Sequence, residues 1–210
     1  MAVGDSQLDG EARETIRAGT DPGPEITDRL GAALARRAEK EGLVEVAYAE
    51  IDSPIGTLLA ATTERGLIRV GWESSDHEDI LEGLARAVGP RVLEAPSRLD
   101  PLKRELDEYF DGDRRRFEVP LDWSLTSGFV RDVLTETARI PFGETRTYAE
   151  VAAAAGSPRA FRAAGSALGA NPIPVVVPCH RVLRKGGALG GYGGGLPVKR
   201  KLLEVEGVAA

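Results

Sequence analysis

From Asn171 to Pro178 the chain reads Asn-Pro-Ile-Pro-Val-Val-Val-Pro, too apolar to lie in water and too rich in proline for a helix or a central strand. Such a stretch suits an extended segment buried at the edge of a core. Its restricted dihedrals deliver the next three residues, Cys179-His180-Arg181, to a fixed position, and the single cysteine of the sequence is among them. Shortly after comes Gly186-Gly187-Ala188-Leu189-Gly190-Gly191-Tyr192-Gly193-Gly194-Gly195, a loop whose missing side chains allow close backbone approach to a ligand. It is not a phosphate loop, because no Lys-Ser/Thr pair closes it.

Upstream, the hydrophobic periodicity predicts an α+β architecture. Leu30, Ala33, Leu34 and Ala38 are spaced for a short amphipathic helix between Thr27 and Glu41. Val44, Val46 and Tyr48 then alternate with polar residues before the turn Ser53-Pro54-Ile55-Gly56. Leu58 to Thr63 and Leu67 to Trp72 supply the other strands of a three-stranded antiparallel meander. A helix near Glu78 to Val88, another opened by Asp100-Pro101 as N-cap and N1, and a strand from Arg116 to Leu121 complete a small α/β unit. It holds no cluster of catalytic residue types and reads as a scaffold.

From Ser124 the pattern is helical. Phe129, Val130, Val133, Leu134 and Ile140 form one apolar face, ended by Pro141-Phe142-Gly143. Thr147-Tyr148-Ala149-Glu150 matches a capping box, and after a break at Gly156 the pair Ser157-Pro158 is placed as N-cap and N1 of a second helix. Two short helices joined by a glycine turn have the outline of a helix-turn-helix, an outline that helical hairpins of ordinary cores share. A last helix, Val198 to Glu206, packs Leu202, Leu203 and Val205.

The net charge of -6 argues against nucleic acid until its distribution is considered. Residues 128 to 210 carry 11 Lys+Arg and 6 Asp+Glu, whereas residues 1 to 127 carry 16 and 27. Only the C-terminal part is ready for an anion, although two solvated surfaces of different sign would look the same. One cysteine cannot close an intramolecular disulfide, and with only His77 and His180 beside it a structural zinc site is not expected. The sequence therefore implies no metal and no cofactor. The opening residues MAVGDSQLDGEARE lack the basic and apolar run of a secretory signal, and no later stretch has the length of a membrane span, so a cytoplasmic location is expected. Residues 1 to about 25 read as a disordered or loosely attached lead-in.

The run Pro178-Cys179-His180-Arg181, with Asn171-Pro172 before it and Gly191-Tyr192-Gly193 after it, resembles the O6-alkylguanine-DNA alkyltransferases, also called methylated-DNA--protein-cysteine methyltransferases. The likeness extends from about Phe129 to Gly207 and, more faintly, to Ser53-Pro54-Ile55-Gly56. Residues 1 to about 40 fall outside it; the expected protein is a monomer with an N-terminal extension over residues 1–42, partly disordered or helical, a small α/β domain over 43–123, and a helical catalytic domain over 124–210. That last domain would carry a winged helix-turn-helix-like element docked in the minor groove of double-stranded DNA.

The resemblance also implies a role for each matching residue. Cys179 would accept the alkyl group of an O6-alkylguanine, irreversibly and once per molecule, with O4-alkylthymine left open as a second substrate. His180 would take the thiol proton through a bridging water, and Glu206 would orient the imidazole. Tyr148 would assist rotation of the nucleotide and donate a proton or hydrogen bond to the leaving base. Arg162 would fill the place of the flipped nucleotide, with Ala160, Ala163 and Gly165 letting its helix lie close to DNA. Val182, Tyr192 and Gly193 would line the guanine pocket, Gly193 standing where some members have serine. Asn171 and Arg181 would brace the site. Without the resemblance, Cys179 also fits a buried structural thiol or the nucleophile of a hydrolase working with His180 or His77. A base-binding relative without transfer activity is a further alternative, but such proteins replace the acceptor cysteine.

Overall fold

The structure, a computed structural model, describes residues 23–72 and 75–209. Most of the lead-in expected to be disordered lies outside these residues. Helix α1 (Gly23–Lys40) begins earlier than its apolar spacing predicts and packs Ala38 against Val44, Ala47 and Ala95. The meander forms as expected: β1 (Val46–Ile51), β2 (Leu58–Thr63) and β3 (Gly66–Trp72) pair antiparallel in sequence order. The turn before β2 closes through Gly56 N–H to Ser53 O at 3.0 Å, with the Ser53 hydroxyl donating back to Gly56 O.

Every residue of β2 is buried, because both faces of the sheet are covered. On one face Val46, Ala61 and Ile68 meet Leu84 of α2 (His77–Ala87), a helix capped by the Asp76 carboxylate. On the other, Ala49, Ile51, Leu58, Ala60 and Val70 join Leu102, Leu106 and Tyr109 of α3 (Asp100–Phe110). Asp100 does not cap α3: a short 3-10 turn over Pro96–Leu99 leads straight into it, so Leu99 takes the cap position without a side-chain bond. The sheet also gains β4 (Val92–Glu94), which pairs parallel to β1 and gives the order β3-β2-β1-β4.

The strand expected over Arg116 to Leu121 does not form. The backbone N–H groups of Glu118 and Val119 donate instead to the buried carboxylate of Glu105 on α3, at 2.8 and 3.3 Å, and Pro120 has none to give. What remains of a strand is one bridge, with Leu67 N–H donating to Pro120 O and Asp122 N–H to Leu67 O, each at 2.8 Å. Gly66 permits this approach, since a Cβ there would lie 2.2 Å from the Pro120 carbonyl oxygen.

The helical part belongs to the same core. Helix α4 (Gly128–Ala138) buries Val133, Leu134 and Thr137. Helix α5 (Tyr148–Ala154) opens with the capping box, in which Thr147 Oγ1 accepts from Glu150 N–H while the Glu150 carboxylate accepts from Thr147 N–H. The next helix, α6 (Phe161–Gly169), starts later than Ser157-Pro158 predicts. Residues 157–160 close a turn through Ala160 N–H to Ser157 O at 2.9 Å, so Ala160 precedes the helix without a side-chain cap. Two-residue strands β5 (Arg146–Thr147) and β6 (Val182–Leu183) pair parallel, and α7 (Gly195–Val205) ends the fold. One cluster of buried side chains runs from β1 to β3 through α3 into α4, α5, α6 and α7. Among the described residues no helix is long and apolar enough to cross a membrane.

The link between the two parts is fixed by Asp122. Its buried carboxylate accepts from Thr63 Oγ1 at 2.6 Å, Arg65 Nε at 3.0 Å and Ser124 N–H at 2.9 Å. Replacing Asp122 with Ala leaves those donors without their acceptor in a partly dry site. We expect a loss of about 1–3 kcal/mol in denaturant unfolding; unchanged stability would mean that water satisfies the donors equally well.

Candidate functional site

The proline-rich segment reaches its position differently from the extended path its composition predicts. Pro172 O accepts from Val70 N–H at 2.8 Å, which docks it on the outer edge of β3 beyond the Leu67–Leu121 bridge, and the chain then coils. Asn171 governs the coil: its Oδ1 accepts from Ile173 N–H at 3.0 Å and its Nδ2 donates to Val177 O at 2.9 Å. Val177 N–H bonds back to Ile173 O, and Val175 sits at φ +73°, a conformation that a β-branched residue rarely adopts and that costs about 1–3 kcal/mol. Cys179, His180 and Arg181 then form a 3-10 turn, so Cys179 and His180 do not alternate across a strand.

Cys179 is 9% exposed and lies against a cleft of about 1140 Å³. Asn171 Nδ2 donates to its sulfur at 3.2 Å. Burial pushes the thiol up from its ordinary pKa, while the Asn171 bond and the charge of Lys199 pull the other way without overcoming it. The resting group is therefore a thiol that needs a base before it can act as a nucleophile.

Directly beneath, Glu206 gathers a buried network. Its carboxylate accepts from His180 Nε2 at 2.8 Å, from Arg181 Nε and Nη2 at 2.8–3.1 Å, from the Tyr109 hydroxyl at 2.7 Å and from Gly143 N–H at 3.2 Å. Burial opposes the charge on Glu206, but the bonds from His180 and Arg181 and the Arg181 charge outweigh it and hold the carboxyl at about 2. Arg181 in turn donates to Ile140 O. Burial keeps the His180 imidazole below its ordinary pKa despite the carboxylate beside it. A neutral ring that donates from Nε2 to Glu206 carries its lone pair on Nδ1, and this buried atom has no protein partner among the described residues. The turn thus presents a thiol and an unoccupied imidazole base on adjacent residues.

The remaining expected residues fall into two groups. Tyr148, Arg162, Gly165, Tyr192 and Gly193 line the same cleft as Cys179. Val182 is fully buried; Ala160, just ahead of α6, and Ala163, exposed beside Arg162 on it, do not line the cleft. Burial raises the Tyr148 phenol above its ordinary pKa, so it remains a donor at neutral pH. His77 stands apart and pairs with Glu50 at 2.9 Å, so it is no partner for the thiol. Arg184 and Lys185 join Arg162 in the cleft lining, and among the described residues none of the three forms an ion pair. Among the same residues there is no group of three or more His, Cys, Asp or Glu side chains able to hold a metal.

Two members of the site are not evident from the sequence. Tyr109 and Lys199 are both completely buried. Lys199 Nζ donates to Val182 O at 2.7 Å, and burial lowers its pKa while Cys179 opposes that shift. A signal for each exists. Lys199, Leu202, Leu203 and Glu206 run along one face of α7, and Leu102, Glu105, Leu106 and Tyr109 along one face of α3, so each apolar stripe carries polar heads that need buried partners.

Both parts of the chain are similar to known proteins. Residues 128–208 match a family model described as 6-O-methylguanine DNA methyltransferase, DNA binding domain, and residues 46–123 match its ribonuclease-like domain. The inducible methylated-DNA--protein-cysteine methyltransferase of Bacillus subtilis is 38% identical over 147 residues, covering 70% of this chain and 82% of that protein. The Methanosarcina barkeri protein of the same name is 40% identical over 160 residues, covering 76% and 96%. Among solved structures, Mycobacterium tuberculosis OGT in complex with DNA superposes with a TM-score of 0.66 at 37% identity, over 76% of this chain and 92% of that one.

The depressed Glu206 carboxyl makes stability depend on pH. Its unfolded value is about 4.3, so its contribution is complete above that value and lost as pH falls through the folded value of about 2. Glu206→Gln also leaves Arg181 buried without its anion, and we expect a loss of about 3 kcal/mol at neutral pH. The gap between variant and parent should close as pH drops from about 5 towards 2. Urea unfolding at a series of pH values checks this, and a gap that stays constant would deny the carboxylate charge its stabilising role.

Proposed function

The chain belongs to the 6-O-methylguanine DNA methyltransferase family, and from that premise we propose that it repairs DNA by taking the alkyl group of O6-alkylguanine onto Cys179. One observation carries the reading. A buried thiol opens onto a cleft whose lining carries Arg162, Arg184 and Lys185, next to an imidazole that a buried carboxylate holds and whose Nδ1 has no protein partner among the described residues. In this reading residues 43–123 are the scaffold, residues 124–210 carry the chemistry, and the substrate is double-stranded DNA bound by a monomer in the cytoplasm.

The order of steps is set by the charges. Beyond Phe161 and Arg162 at its start, the exposed residues of α6 are the small Ala163, Ser166 and Gly169, and a helix face with little side-chain bulk there can lie close to a DNA groove. The damaged nucleotide leaves the stack, Arg162 occupies its place, and the base enters the cleft beside Tyr148, Tyr192 and Gly193. His180 Nδ1 takes the Cys179 proton through a bridging water, giving a thiolate within the field of the buried ammonium of Lys199. Sulfur attacks the alkyl carbon in line. The S–C bond forms, the C–O6 bond breaks, and its electron pair goes to O6. Tyr148 donates a hydrogen bond to the leaving guanine, which takes up the proton that the thiol released. A thioether has no hydrolytic route back, so one molecule handles one lesion.

Intact mass spectrometry after mixing with a duplex that contains one O6-methylguanine tests this directly. We expect a stoichiometric gain of about 14 Da that Cys179→Ser abolishes. Selective binding with no mass gain would place the protein among recognition-only relatives. In the same assay Arg162→Ala should slow transfer from duplex on the order of tenfold and leave transfer from free O6-alkylguanine base nearly unchanged, because only the duplex requires extrusion; equal losses would remove the finger role.

A further inference from the structure

The wall of the cleft opposite α6 is held from behind by a residue of the sheet. Gly190, Gly191, Tyr192 and Gly193 line the cleft, whereas Trp72, the last residue of β3, does not. The indole lies against the far side of the same loop. A Cβ placed on Gly193 would lie 3.0 Å from Trp72 Nε1, and one on Gly194 would meet the six-membered part of the ring at 3.0–3.1 Å. Both distances are shorter than a relaxed contact of about 3.5–4.0 Å, so any side chain at either position must displace the ring.

Tyr192 joins this packing. Its ring stands edge-on to Trp72, with centroids 5.4 Å apart, and edge-on to His180, with centroids 6.4 Å apart. The other end of the loop presses on Tyr148: a Cβ on Gly190 would lie 2.1 Å from the Tyr148 hydroxyl oxygen. The loop is thus gripped between an aromatic ring of α5 and one of β3. A side chain at 193 or 194 would have to push the indole back by a few tenths of an ångström, and the indole in turn limits how far the wall can retreat from Cys179.

We propose that Trp72 determines which O6 substituents the protein accepts, by fixing the position of the 190–194 wall. This rests on the transferase reading above and deepens it: small alkyl groups fit the gripped wall, and bulky arylmethyl groups require it to move. Trp72 acts through the loop and is a positioning residue. Gly193 is its counterpart on the loop.

The test measures rates of mass gain with duplex O6-methylguanine and with the corresponding O6-benzylguanine duplex. In Trp72→Ala the benzyl-to-methyl rate ratio is expected to rise about tenfold, the scale of a small change in pocket volume. Gly193→Ser should lower the ratio by about as much in the parent, and far less in the Trp72→Ala background. Trp72→Phe, which keeps a smaller ring on the loop, should give an intermediate ratio and serves if the alanine variant does not fold. Equal falls in both rates with an unchanged ratio, or additive effects of the two substitutions, would overturn the proposal and leave the indole a packing residue. A parent protein that gains no mass from either duplex would overturn the transferase reading itself, and this one with it; a reactive parent whose ratio ignores Trp72 overturns the specificity role alone.

Discussion

Glu206 accepts hydrogen bonds from segments that lie far apart along the chain. The Tyr109 hydroxyl is 97 residues away in sequence, Gly143 N–H 63 residues, and the His180 ring 26 residues. Arg181 supplies the only guanidinium on that carboxylate among the described residues, and donates a further N–H to Ile140 O. Relative to well-packed apolar side chains such a buried ion pair adds little stability, because desolvation offsets much of the attraction; what is costly is removing one partner and leaving the other charge buried. Its use here is positional. The carboxylate defines which imidazole nitrogen carries the proton, and through Tyr109 it ties the sheet-bearing part of the chain to the reactive turn.

The same arrangement explains why the thiol can be buried and still serve as a nucleophile. A permanently ionised sulfur in so dry a position would be costly. The resting thiol avoids that cost, with a base on the next residue and a buried ammonium, Lys199, whose field favours the anion once it forms. The strained backbone at Val175 serves the same placement: the coil set by Asn171 brings the sulfur to the cleft while the side chains of Val175 and Val177 remain in the core. Residues of the sheet-bearing part contribute twice, through Tyr109 below the site and Trp72 behind its wall, so what reads as a scaffold also shapes the reactive centre.

What is legible in the sequence is local. The meander, the Ser53 to Gly56 turn and the Thr147–Glu150 capping box are each specified by residues a few positions apart, whereas the 3-10 turn at Cys179-His180-Arg181 replaces the extended path that the proline-rich run predicts. Departures arise where another group takes over a local donor or acceptor. The amides of Glu118 and Val119 have a strand pattern but find Glu105 instead, and Ser157-Pro158 closes a turn ahead of α6 rather than capping it. The three residues of β4 carry too short a pattern to be seen, and depend on β1 for their existence. Tyr109 and Lys199 are hidden for the same reason: their positions on apolar helix stripes announce buried polar groups but not the partners.

The state of the His180 ring is the point on which the chemistry turns, and 15N NMR of histidine-labelled protein reads it, with His77→Gln to assign the two rings. A neutral imidazole protonated on Nε2, remaining neutral as pH falls through the usual histidine range, is the expected result, since burial lowers its pKa and Glu206 accepts the Nε2 proton. A ring protonated on Nδ1, or already charged at neutral pH, would contradict it, because neither form offers Cys179 a base.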